Sequence, residues 1–213
     1  MTEARGRGTP KEPLILRAAR AVFLQRGFRS ASVDEIAALA KISKVTLYRY
    51  FPSKERLFLA VIRREIEDAE RMSDDHLDTL ATTTDLPADL RAFARQFVAT
   101  VTDPDLLRMR RLVAGQTERF PELARAWDER ARLQGQRTLT RLFQRLADRH
   151  LLTGDMRVAA EQFLWLLLGA PLNAALFNPA GESFSPRQLR QHADAAVRTF
   201  LAAYGNAEQP SGH

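Results

Sequence analysis

Apolar residues recur along the chain at spacings of three and four, and no segment sustains the alternation of a half-buried strand, so the pattern predicts an all-α protein of about nine helices. Ile15, Ala19 and Phe23 line one face of a first helix that stops at Gly27. Pro13 can open that helix, because the first turn does not use the N–H that proline lacks. The run Ser32-Val33-Asp34-Glu35 reads as a capping box, in which hydroxyl and carboxylate reciprocally satisfy free backbone donors at a helix start. A short helix, VDEIAALA, follows and ends at KIS. Ser43 is placed to cap a third helix over 44–51, which Pro52 ends because the residue before a proline is pushed out of the α region. Ser53 then caps a long fourth helix, running to about residue 80, on which Leu57, Phe58, Val61, Ile62, Ile66 and Ala69 repeat at helical spacing. Further helices are expected over 87–102, 104–117, 121–152, 156–177 and 186–204, punctuated by Pro87, Pro104, Pro121, Gly154, Pro179 and Pro186.

Two short helices separated by a three-residue break, with a preceding helix to brace them, make a helix-turn-helix head. At 100° per residue Leu47 and Phe51 form an inward i, i+4 pair, which turns Val45 and Arg49 outward with Thr46 and Tyr48 on the flanks. Backbone N–H groups at the start of the helix, the hydroxyls of Thr46, Tyr48 and Tyr50, and the ammonium groups of Lys44 and Lys54 can all hold phosphate oxygens. Arg49 and Lys44 can instead reach guanine acceptors in a major groove, and Val45 can touch a thymine methyl. The residues alone leave that division open. A blander reading has the Tyr48 and Tyr50 rings packed between helices above a solvated basic rim. It is outweighed by the coincidence of a cap, a short turn, outward basic and hydroxyl groups and a local excess of positive charge.

That excess is confined to one end. Residues 1–56 hold 12 Lys and Arg against 5 Asp and Glu, a net of +7, whereas the remaining 157 residues hold 20 against 21. A polyanion-binding head on a near-neutral body is the expectation. Hydrophobic content of 45% is ordinary for a packed protein. The absence of cysteine removes disulfides and thiolate metal sites and suits a reducing compartment. The opening MTEARGRGTPKEP has no apolar core of a secretory leader, and the apolar run 163–172 is about half of what a bilayer span needs, so a cytoplasmic protein without membrane contact is expected. His76, His150, His192 and His213 are scattered, DDH at 74–76 stands alone, and GRG at 6–8 precedes no strand. No metal, cofactor or catalytic triad is therefore expected.

The stretch SVDEIAALAKISKVTLYRYFPSKERLFLAVI, with ILRAARAVFLQRGF before it, resembles the head of the tetracycline-repressor (TetR) family of bacterial transcription regulators over roughly residues 12–62. The resemblance implies phosphate contacts at Thr46, Tyr48, Tyr50 and Lys54, and positions at or near base edges for Ser43, Lys44 and Val45. Two departures stand out. Lys41 occupies a turn position usually held by glycine, where a left-handed backbone costs about 1 kcal/mol or more. Val45 replaces a frequent glycine and alters the reading surface.

The resemblance also implies a ligand-binding and dimerisation body over 57–205, after a disordered basic arm (1–11) and a head (12–56), and before a disordered tail (206–213). LVAGQTERFPELARAWDERA resembles the body of a multidrug-efflux-regulator subgroup. The segment AAEQFLWLLLGAPLNAALF is apolar almost all round and needs cover on more than one side, while Gly169, Ala170, Ala174 and Ala175 permit close helix approach. With QLRQHADAAVRTFLAAY it can form a four-helix interface across a two-fold axis through Phe163, Leu167, Ala170, Ala174, Val197 and Leu201. A pocket for a hydrophobic effector is expected among Phe93, Phe97, Met109, Trp127, Phe143 and Trp165, although each of these residue types also serves as plain core. The sequence thus points to a homodimeric repressor that releases a palindromic DNA operator when it binds a small molecule. Its rivals are an effector-free architectural DNA binder and a helical-bundle enzyme with an incidental basic head.

Overall fold

The computed structural model describes residues 11–177 and 184–206. Apart from Lys11 and Asn206, the expected arm and tail lie outside the described residues. So do Pro179 and His213, and the side chains of Ile66, Ala69 and 74–76. The described chain is helical throughout: α1 (Lys11–Ser30), α2 (Val33–Leu39), α3 (Lys44–Tyr50), α4 (Lys54–Ala81), α5 (Leu86–Val101), α6 (Pro104–Ala114), α7 (Pro121–Trp127), α8 (Gly135–Asp148), α9 (Met156–Phe177) and α10 (Pro186–Tyr204). The expected single helix over 121–152 is instead α7 and α8 joined by a π-helical stretch, Asp128–Gln134, and the α-helical bonding resumes at Gly135. Among the described residues the sole β feature is an isolated antiparallel bridge between Leu152 and Gly205.

The described residues fall into two compact units, one within 1–65 and 108–123, the other within 66–107 and 124–213. In the first, Phe23, Phe28, Phe58 and Phe120 form a chain of rings, with the Phe23–Phe58 and Phe28–Phe120 centroids 5.1 and 5.2 Å apart in edge-to-face pairs. Such pairs add about 0.5–1.5 kcal/mol beyond the area they bury. Ile15, Ile36, Leu47, Leu57 and Ile62 are fully buried. Gly27 (φ 73°) breaks the regular course of α1, a left-handed backbone that glycine adopts without a Cβ clash. Phe28 thereby turns into the core.

The second unit packs α5, α8, α9 and α10 around Phe93, Phe143, Phe163 and Phe200, all buried. The Phe163 and Phe200 rings meet edge to face at 4.8 Å. Arg149 closes the C-terminal end of α4, its guanidinium donating to the carbonyls of Ala81 (2.9 Å) and Thr83 (2.6 Å). Arg95 of α5 grips Asp194 of α10 with two bonds of 2.7 Å. This hydrogen bonding from Arg95 holds the Asp194 carboxyl below its ordinary range. Pro171 lies inside α9 and leaves the carbonyl of Leu167, four residues back, without its helical N–H; Nε2 of His192 on α10 donates to it instead at 3.0 Å.

Helix α9 runs 22 residues with a mean hydropathy of 1.2 over its most apolar window, longer than the apolar run alone suggests and sufficient by length and composition to cross a bilayer. One stripe of it, including Phe163 and Leu167, is buried in the unit's own core. Its other side leaves Trp165 64% and Phe177 83% exposed.

Candidate nucleic-acid interface

The head's surface is built from α2, α3 and the turn between them. Ser32 caps α2, but its hydroxyl accepts from the Asp34 N–H (3.2 Å), and Glu35 turns toward Arg26 (3.6 Å) rather than back to the cap. The capping box is therefore only half formed. A complete one opens α10: Ser185 accepts from the Gln188 N–H, while the Gln188 side chain accepts from the Ser185 N–H. After α2 the N–H groups of Lys41 and Ile42 return to the carbonyls of Ala38 (3.1 Å) and Ala37 (3.0 Å), the paired bonds of a Schellman ending. Lys41 takes the left-handed position (φ 55°) that this ending needs.

Ser43 caps α3 by accepting from the Thr46 N–H at 3.1 Å, and its hydroxyl also bonds the Thr46 hydroxyl at 2.9 Å. Leu47 is fully buried and Phe51 nearly so, which is the inward pair expected from their spacing. With that face fixed, Val45 stands 80% exposed, Tyr48 41% and Tyr50 38%. Thr46 is half-buried on the flank, and Arg49 is exposed with its guanidinium 5.8 Å from the Tyr50 ring centre.

Two of the expected contact residues also have internal partners. Lys44 donates to Asp34, its Nζ lying 2.9 Å from Oδ1 and 3.0 Å from Oδ2, and this bond raises the lysine's pKa. Lys54 donates to the carbonyls of Arg29 and Ala31, both at 3.1 Å, and lies 5.0 Å from the centre of the Phe28 ring. It therefore closes the C-terminal end of α1 in the way that α4 is closed by Arg149. Arg119 sits 5.2 Å from the same ring and bonds Glu55 at 3.2 Å. Asp34, to which the sequence assigns no contact, and Leu39, exposed at the end of α2, belong to this surface as well. No periodic signal marks a pairing from the start of α2 across the turn to the start of α3.

Of the six expected pocket residues, Met109 lies in the first unit and the other five in the second. Phe93 and Phe143 are close-packed core, with Phe97 stacked on Phe93 at 5.4 Å. Met109 is buried in the segment that belongs with the head, Trp127 is half-buried, and Trp165 faces outward. Trp165 borders an open groove of about 580 Å³ between α9 and α10, with Val158, Gln162, Thr199, Ala203 and Tyr204. Three of the six expected dimer residues need correction. Phe163, Leu167 and Val197 are fully buried within their own chain, so they have no surface to offer a partner. Ala170 is exposed, and Ala174 and Leu201 are half-buried. Among the described residues no cluster of His, Asp or Glu could hold a metal ion.

Residues 15–61 match the family described as bacterial regulatory proteins, tetR family, and residues 88–206 match the AefR-like transcriptional repressor C-terminal domain. A solved structure from Mesorhizobium loti, assigned to the TetR family of transcriptional regulators, is 34% identical and superposes with a TM-score of 0.88 over 95% of this chain and all of that one. The flavonoid-responsive regulator FrrA is 32% identical, with a TM-score of 0.69 over 92% of this chain and 98% of its own. The HTH-type transcriptional activator FasR of Mycolicibacterium smegmatis is 41% identical over 83 residues, which are 39% of this chain and 36% of FasR. The chain thus spans about a third of the length of that curated relative.

Proposed function

The chain belongs to the tetR family of bacterial regulatory proteins, and from that premise we propose that it is a homodimeric, cytoplasmic repressor that holds a palindromic operator and releases it to a hydrophobic small molecule. It is a regulator and not an enzyme. The observation that carries the reading is the stance of α3: Leu47 anchors it while Val45, Tyr48 and Arg49 face solvent beside a net charge of +7 within residues 1–56. In this reading Thr46, Tyr48, Tyr50 and the remaining N–H of Lys54 take phosphate oxygens, and Ser43, Lys44, Val45 and Arg49 approach base edges. Val45, the most exposed of them, suits a thymine methyl.

Repression is the direction favoured by the AefR-like match over residues 88–206, and a response to small molecules is favoured by the likeness to FrrA. A second copy would cover the outer side of α9 and α10, where Trp165, Ala170 and Phe177 are exposed. Two-fold symmetry would set the two α3 helices about 34 Å apart, one turn of duplex. An effector coupling of about 1–3 kcal/mol would then weaken binding severalfold to a hundredfold. The test is selection from a random duplex pool by the purified full-length protein, followed by genomic footprinting and titration of hydrophobic compounds suggested by the neighbouring genes. An inverted repeat whose occupancy falls on titration is expected. Failure to enrich any sequence would remove the DNA-binding reading, and an operator that no such compound releases would favour the effector-free alternative.

A further inference from the structure

We propose that Asp34 and Lys44 read together, as one ion pair that recognises the major-groove edge of a single G·C base pair. This rests on the reading of the chain as a DNA-binding regulator and adds a recognition element to that same surface.

Both residues stand in the first turn of their helices, Lys44 at the head of α3 and Asp34 at the second position of α2. Their side chains keep 50% and 68% of their exposure although Nζ and Oδ1 are only 2.9 Å apart. A pair so open to water does little for folding, and it leaves both groups facing whatever approaches from outside. An unpaired carboxylate at that position would also oppose the approach of any phosphate backbone. Pairing with Lys44 cancels that penalty without using up either group. An ammonium has three donors and a carboxylate about four acceptor sites, so each retains capacity toward a groove.

What the pair presents is a strong donor beside a strong acceptor, at hydrogen-bonding separation. A G·C pair presents the complement. Guanine N7 and O6 both accept, cytosine N4 donates, and O6 and N4 are held to each other at the ordinary N–H···O distance of about 2.9 Å. Lys44 facing O6 and N7 would leave Asp34 beside N4. On an A·T pair the ammonium would find adenine N7 alone next to a competing N6 donor; in the reverse orientation thymine O4 beside adenine N6 repeats the acceptor–donor pairing, but a C5-methyl stands where guanine offers N7 as a second acceptor. Val45, adjacent on α3 and largely exposed, supplies the apolar contact that the charged pair lacks.

The test uses the full-length protein and its Asp34→Ala, Asp34→Asn and Lys44→Ala variants, each put through selection from the same random duplex pool. The wild type should enrich a G·C pair at one position of each half-site, and replacing it by A·T should weaken binding about tenfold. Asp34→Ala and Lys44→Ala should reduce that discrimination to about twofold or less at this position alone, whereas Asp34→Asn should move it toward A·T, since an amide pairs with adenine N6 and N7. Asp34→Ala should also tighten binding to unselected duplex. A merely structural pair would alter melting temperature and leave the preferred base where it was. If the wild type enriches a site and Asp34→Ala enriches the same base at every position, this inference is wrong while the regulator reading stands. If the wild type enriches nothing, both fall.

Discussion

Helices α3 and α9 show how differently a sequence can declare its faces. On α3 the one buried residue, Leu47, sits among side chains that cannot leave water cheaply, so Val45, Tyr48 and Arg49 are turned outward by elimination. On α9 almost every residue could be buried. The stripe that is buried, through Ala159, Phe163, Leu167 and Ala175, is chosen by α8 and α10 and not by the helix itself. Polar residues orient a helix by the desolvation they refuse. An apolar helix takes its orientation from its neighbours.

The largest test of that contrast lies within α9. Phe163→Ala should cost about 3–5 kcal/mol in chemical denaturation, because it opens a void among the Phe143 and Phe200 rings. Trp165→Ala, two residues away, should leave chemical denaturation of the dilute chain little changed and instead weaken self-association in sedimentation velocity. Equal losses of stability for the two would erase the distinction between the faces.

Lys54→Ala sharpens the comparison for the head. Its bonds to the Arg29 and Ala31 carbonyls predict a loss of about 1.5–3 kcal/mol from denaturation curves. Its proposed phosphate contact predicts a drop of about one unit in the salt slope of DNA binding. An unchanged slope would confine Lys54 to closing α1.

The smallest effect expected is a gain. Lys41→Gly should relieve a left-handed backbone and raise stability by about 1 kcal/mol or less, partly offset by the greater freedom of an unfolded glycine. A loss in the same melting experiment would mean that the lysine side chain has a compensating role.

The head was legible because its signals are local. Ser43, Ser53, Pro52 and the Leu47–Phe51 spacing act over four residues or fewer, and the helices they predict are the helices found. Even there, Glu35 went to Arg26 instead of back to the cap, a choice made by a partner from another helix. The Asp34–Lys44 pair and the Lys54 clamp were invisible for the same reason: each joins groups whose proximity exists only after α2 has met α3 and α4 has met α1. The body was harder still. Phe163, Leu167 and Val197 look like an interface on a helical wheel, and they are apolar enough to be one, but the chain's own α8 and α5 reached them first. For the expected pocket the sequence offers only residue types, and aromatic side chains fill cores as readily as they line cavities.

Proline 171 leaves a further mark on the body. With its ring in the backbone, α9 lacks one rung of its ladder, and the missing rung is supplied sideways by the imidazole of His192. A shift of α10 by a single helical turn, about 5.4 Å, would strand that carbonyl in an apolar setting. Sliding the two helices past one another therefore costs an unpaired carbonyl, which ties their axial alignment to the imidazole of a single histidine.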